Sequence, residues 1–134
     1  MDNLAPDEQA SEKGRPALPG EPCQVEPMPT WTPQEKWVWE QVCVGKIADF
    51  NKAEGYGGEL DPKKPEGWPS NRILRPEFLE TILLHEPYSG ALTRKGVRIV
   101  GARFTEALDL SNAALDHQLR LGYCRFDAPS TWVG

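Results

Sequence analysis

Three blocks of eight residues, beginning at Val97, Leu108 and Leu119, repeat along this chain at a spacing of eleven. Aligned on one another, their first column reads Val97, Leu108, Leu119 and their third reads Ile99, Leu110, Leu121. The sixth column holds the small residues Ala102, Ala113 and Cys124, and the eighth holds Phe104, Leu115 and Phe126. The second is charged each time, with Arg98, Asp109 and Arg120. Agreement in both size and polarity over residues 97–126 marks an internal repeat, which narrows the possible architectures more than any composition figure. Apolar residues at positions one and three alternate as in a strand. A small residue followed two positions later by a large one suits a tight corner with the bulky side chain turned inward. An ordinary β-meander of the same period also satisfies the alternation.

The large residues Phe104, Leu110, Leu115, Leu121 and Phe126 follow one another at steps of five or six. With a small residue two places before the large one in Ala102-Arg103-Phe104, Ala113-Ala114-Leu115 and Cys124-Arg125-Phe126, and the polar-then-large pair in Leu108-Asp109-Leu110, the stretch resembles the pentapeptide-repeat family. The resemblance covers residues 97–126 only, and the six-residue steps depart from the family's strict five. It implies an α+β protein in which an N-terminal helical cap leads into a short right-handed β-helix, a pentapeptide-like solenoid of about one and a half coils. Members of that family are mostly non-catalytic, and some resemble duplex DNA and occupy DNA-binding enzymes such as gyrase. In this chain the charged column alternates in sign, so it lacks the acidic stripe that DNA mimicry needs. So short a solenoid leaves its last turn to be capped by residues 128–134, to meet a partner or a second copy, or to continue in a longer pentapeptide-repeat protein.

The rest of the chain divides in two. Residues 1–30 carry six acidic side chains against Lys13 and Arg15, which accounts for four of the chain's five net negative charges. They also hold six prolines and no aromatic residue. Too little apolar surface is present there to offset the entropy of ordering, so a flexible acidic, proline-rich leader is expected. Residues 31–95 read as a two-helix cap with a long loop, and residues 96–134 as the solenoid and tail. The first helix is signalled by Thr32-Pro33-Gln34-Glu35, a capping box with proline at the first helical position. It is expected to reach about Val44 and stop at Gly45, with Trp37, Gln41, Val44 and Ala48 on one face and Trp39, Val42 and Cys43 widening the apolar surface, so that the helix is held on more than one side. A short extended segment is expected over residues 47–50. Residues 54–70 carry four glycines and three prolines and form a loop. The second helix starts at Pro76 and buries Phe78, Leu79, Ile82 and Leu83 at three-and-four spacing.

Catalytic signals are sparse. His85 beside Glu86, and Asp116 beside His117, are adjacent pairs whose side chains diverge on most backbones, and no enzyme activity is expected. Cys23, Cys43 and Cys124 are odd in number and widely separated, which disfavours a disulfide framework. No metal-ligand spacing appears, and no glycine-rich nucleotide loop follows a strand, so no cofactor is expected. No secretion signal and no membrane-length apolar run is present, which points to the cytoplasm. A basic cluster runs from Arg72 to Arg103 and takes in Arg75, Arg94, Lys95 and Arg98. The chain as a whole is acidic at −5, so direct nucleic-acid binding is the weaker alternative.

The favoured reading is a protein-interaction module. It suits an inhibitor of the kind carried by phages or mobile elements, acting on a nuclease, a CRISPR surveillance complex or a topoisomerase. Tyr123, Phe126 and Trp132 at the open end of the coil, and Trp68, Lys63 and Lys64 in the long loop, are the candidate partner-binding residues. A homodimer through the open end is the further expectation.

Overall fold

The computed structural model describes Cys23, residues 25–110, Leu115 and residues 117–128. The order of elements is α1 (Pro33–Val42), β1 (Ala48–Asp49), a 3-10 turn (Ser70–Arg72), α2 (Pro76–Leu84), α3 (Tyr88–Ala91), β2 (Val97–Val100), β3 (Arg103–Phe104), β4 (Leu119–Gly122) and β5 (Arg125–Phe126).

Helix α1 starts as its capping box dictates. The Thr32 hydroxyl accepts from the Glu35 amide, and the Glu35 carboxylate accepts from the Thr32 amide. Its buried residues are Glu35, Val38, Trp39 and Val42, and Trp37 on the neighbouring face is half-buried against Phe50 and Tyr56, at 5.0 and 5.2 Å between ring centroids. Glu35 is fully buried, and the Arg75 guanidinium and the Arg75 amide both bond its carboxylate. Trp31 locks α1 to the other helices, with its ring edge-on to Phe78 at 4.9 Å and tilted against Tyr88 at 5.1 Å. Helix α2 buries Phe78, Leu79, Ile82 and Leu83, the set its periodicity predicts.

Among the described residues all the strand pairing is parallel. One sheet has the order β1-β2-β4 and the other pairs β3 with β5. Ala48 lies opposite Ile99, Val97 opposite Leu119, and Phe104 opposite Phe126. Two blocks of the sequence repeat, the first and the third, thus lie side by side in register. The middle block falls largely outside the described residues.

These strands are two to four residues long and make two small sheets. The expected right-handed β-helix is therefore corrected. The described residues form a small α+β domain with short parallel strands and no solenoid. The physical reason lies in the composition of the layers. Strand β1 and the isolated bridge from Ile73 to Arg103, which supply the neighbours of β2 and β3, come from the helical region and not from further repeats.

Two glycines permit the close approach of the paired strands. Gly96 has φ of 70°, and a Cβ there would sit 2.3 Å from the Gln118 carbonyl oxygen. Gly101 has φ of 80°, and a Cβ would meet the Asn51 side chain at 2.7 Å. Only glycine fits either place.

The cysteines correct a second expectation. Cys23 and Cys43 form a disulfide, with Cα atoms 5.6 Å apart, and this anchors the start of the described chain to the end of α1. The spacing alone hid the pair because the fold returns residues 25–31 along α1, where the Trp39 indole donates to the Val25 carbonyl at 2.7 Å. Among the described residues, no helix is long and apolar enough to cross a membrane.

Candidate interaction surface

Strand β4 is the last strand of its sheet, and no strand of the described residues pairs with its other edge. The Val97 amide donates to the Gln118 carbonyl and the Gly101 amide to the Gly122 carbonyl. In a parallel ladder the polar groups of alternate residues face alternate neighbours, so those of Leu119 and Leu121 point away from β2. Such a row of unpaired amides and carbonyls is a template for another strand.

Burial along the repeat supports the same point. Val97 and Ile99 on β2 are fully buried, whereas their register partners are Leu119 at 5% exposure and Leu121, which is half-buried. Phe104 on β3 is fully buried, and Phe126 opposite it on β5 is only half-buried. The apolar core runs on to the outer strands and is incompletely covered there.

Tyr123, between β4 and β5, is 68% exposed. Its φ is 51°, the left-handed region that a bulky residue rarely adopts. Phe126 stacks on Phe104 with ring centroids 5.2 Å apart and planes 9° from parallel, so it belongs half to the core and half to the surface. Asp127 holds this end together, accepting from the Arg103 guanidinium at 2.8 Å and pairing with Arg125 at 2.9 Å. Arg125 also donates to the Pro62 carbonyl at 3.0 Å, which ties the long loop to β5. Lys63 and Lys64 are exposed in that same loop, so the two surfaces that sequence treats as rivals are joined through Arg125. Trp132 lies outside the described residues.

Trp68 is buried, with its indole donating to the Asp61 carbonyl and its ring 5.3 Å from the Arg72 guanidinium carbon. It supports the loop and offers no face to a partner. The residue it shields is one that sequence reasoning left on the surface. Arg72 is fully buried, and all five guanidinium hydrogens have acceptors: the carbonyls of Phe50, Tyr56, Gly58 and Gly101 and the Asn51 side chain. Burial lowers its pKa, while the charge of Asp49 opposes the shift. Arg72 thus pins the glycine-rich loop to the bend between β2 and β3.

Other members of the basic cluster are engaged too. Arg75 holds Glu35 at 2.7 Å, Arg98 donates to the Gly45 carbonyl at 2.8 Å, and Arg103 holds Asp127. Arg94 and Lys95 remain exposed at the turn before β2. The cluster is contiguous in sequence and dispersed in space.

The nucleophile and base candidates are likewise occupied. The Glu86 carboxylate accepts from the Ser89 hydroxyl at 3.1 Å and from the Gly90 amide at 3.2 Å, closing the turn into α3. His117 Nε2 lies 2.8 Å from the Ser89 carbonyl oxygen. Asp116 lies outside the described residues. Burial pushes the Cys124 thiol up to about 11, despite backbone hydrogen bonds from Ala102 and Gly101, so it stays protonated at neutral pH.

A signal for Tyr123 was present in the fifth column of the repeat, which reads Gly101, Asn112, Tyr123. Glycine and asparagine are the residues most tolerant of left-handed backbone, and Gly101 and Tyr123 both adopt it. Compared with protein-family models, with curated proteins and with solved structures, the chain matches none, and nothing among them identifies a pentapeptide repeat.

Proposed function

We propose that this protein is a non-catalytic protein-interaction module that takes a partner strand along the outer edge of β4. Tyr123 is the anchor of that surface, and Lys63 and Lys64 flank it from the loop held by Arg125. The observation that carries the reading is the unpaired β4 edge running into a tyrosine that is 68% exposed on strained backbone. Main-chain hydrogen bonds to an added strand supply affinity, and an exposed aromatic beside them supplies selectivity. Direct nucleic-acid binding has less support, because Arg72, Arg75, Arg98 and Arg103 spend their donors inside the domain. Within this reading the partner class is a protein of a nucleic-acid-processing complex, which the small size and the net charge of −5 favour. A cytoplasmic site of action goes with a reduced Cys23–Cys43 pair and an oxidising compartment with the linked pair, so trapping free thiols in fresh lysate reports which applies.

The test is Leu121→Pro. The Leu121 amide points away from β2, so proline there removes no hydrogen bond of the existing ladder while blocking an added strand. Immobilised wild-type protein is compared with the variant for retention of lysate proteins, with circular dichroism as the control for folding. A loss of about tenfold or more in retention is expected, since edge pairing depends on the main chain. Equal retention by a folded variant removes β4 as the docking edge.

A further inference from the structure

Parallel register sets two pairs of arginines side by side, Arg98 with Arg120 on β2 and β4, and Arg103 with Arg125 on β3 and β5. Register partners on neighbouring strands share a face of the sheet at a spacing of about 4.8 Å, and like charges so placed repel. The second pair is compensated within the domain, because one carboxylate oxygen of Asp127 lies 2.8 Å from Arg103 Nε and the other 2.9 Å from Arg125 Nε. The first pair has no such bridge. Arg98 turns its guanidinium to the Gly45 carbonyl, and its buried Nε has no acceptor among the described residues. Arg120 is exposed on the outermost strand, and no carboxylate of the described residues pairs with it. Asp49 carries a carboxylate on the same face but stands in the row of Val100, where it accepts from the Asn51 amide at 2.9 Å.

We infer that the strand taken up by β4 carries a carboxylate opposite Arg120, so that the docking segment of the partner is acidic on the solvent face of the sheet. The inference rests on strand addition at β4 and names the chemistry of what is added. A strand on the free edge of β4 puts a side chain beside Arg120 on the same face, on the side away from Arg98. A carboxylate there does for Arg120 what Asp127 does for Arg125. Strand direction does not change this placement. In antiparallel addition Arg120, whose own polar groups face β2, falls at a non-hydrogen-bonded pair, where opposing side chains approach most closely. Register matters little either. A strand that alternates apolar and acidic residues keeps its apolar face beside Leu119 and Leu121, and a carboxylate opposite Arg120, after any slip of two residues. A basic strand meets repulsion and a neutral one leaves Arg120 without a counter-charge, so the same residue selects as well as attracts. Arg94 and Lys95, exposed in the turn before β2, add positive charge near the start of the arginine pair.

The experiment titrates the full chain into short fluorescent peptides that alternate valine with glutamate, with glutamine or with lysine, and reads binding by anisotropy. It compares wild type with Arg120→Glu and Leu121→Pro, using circular dichroism as the control for folding. Wild type is expected to bind the glutamate peptide about fivefold tighter than the glutamine peptide, with the lysine peptide weakest. Arg120→Glu is expected to invert that order, and Leu121→Pro to lose all three peptides. Equal affinity for the glutamate and glutamine peptides overturns the inference, as does an order that Arg120→Glu leaves unchanged. In either case loss of binding in Leu121→Pro still supports strand addition, without a charge preference. A glutamate preference that survives in folded Leu121→Pro also overturns the inference, since the charge then acts without the edge. If wild type binds none of the peptides the inference falls, and retention of lysate proteins by wild type against Leu121→Pro decides the strand-addition reading separately. The comparison with Arg120→Glu stands whether or not Leu121→Pro folds.

Discussion

Tyr123 occupies a backbone position that glycine fills one repeat-pair earlier. A non-glycine residue with φ of 51° is held there at a cost of roughly 1 kcal/mol or more. Its side chain recovers little of this by packing, since it is 68% exposed. A strained residue that contributes little burial is better explained by what it contacts outside the domain than by folding. The prediction is that Tyr123→Asn stabilises the isolated domain by about 1 kcal/mol in urea unfolding, because asparagine tolerates the left-handed region without glycine's extra unfolded-state entropy. The same variant is expected to weaken partner retention. If it lowers stability, the tyrosine serves the fold and its role at the surface falls. Part of this was legible beforehand, in the Gly-Asn-Tyr column of the repeat. What was not legible is the fate of Arg72: no local pattern tells a buried arginine from an exposed one when its acceptors are backbone carbonyls from residues 50, 56, 58 and 101.

At the scale of elements, the helices could be read and their mutual attachment could not. Thr32, Pro33 and Glu35 announce the start of α1, and Pro76 with its apolar spacing announces α2, because capping and periodicity act within a few residues. The link between the two depends on Glu35 and Arg75, forty positions apart, which periodicity cannot see. Strand pairing was half-readable. The repeat gave the register of β2 on β4 and of β3 on β5, yet extrapolation to a solenoid failed because the remaining neighbours, β1 and Ile73, carry no copy of the repeat.

The Glu35–Arg75 link has a pH signature. Burial pushes the Glu35 pKa up, but the hydrogen bonds from Arg75 and Thr32 and the charge of Arg75 outweigh it, and the net shift is downward. A carboxylate with a lowered folded-state pKa contributes stability that is complete above its unfolded pKa and is lost as pH falls through the folded value. Stability is therefore expected to decline as pH drops below the ordinary carboxylate range, with Glu35→Gln less stable by about 2 kcal/mol at neutral pH, Arg75 being partly solvent-exposed. Urea midpoints of both proteins across the acid range check this. The gap between them should narrow as pH falls; a constant gap means that Glu35 acts by shape and not by charge.

Taken whole, the molecule divides its stabilising devices from its open edge. Helix α1 packs against β1 and β2, and the disulfide and Trp31 hold the chain there, whereas β4 forms the opposite edge of the sheet. The disulfide spans a sequence separation of 20 residues. In the chain-entropy account, a loop of that size raises stability by about 3 kcal/mol through the unfolded state. For a domain of this size that corresponds to a thermal midpoint about 15 °C higher in the oxidised protein than in the reduced one. Cys43→Ser is expected to show the reduced protein's midpoint with or without reductant, and Cys124→Ala to respond to reductant as wild type does, since the Cys124 thiol is buried and protonated. Differential scanning calorimetry in the two redox states decides the stability claim. Retention of lysate proteins by the reduced protein, below its lowered midpoint, decides the architectural one. If the two ends of the sheet are independent, retention is unchanged on reduction even as the midpoint falls. If retention weakens in step with the midpoint, the α1 end and the β4 edge form one cooperative unit, and redox state then governs association as well as stability.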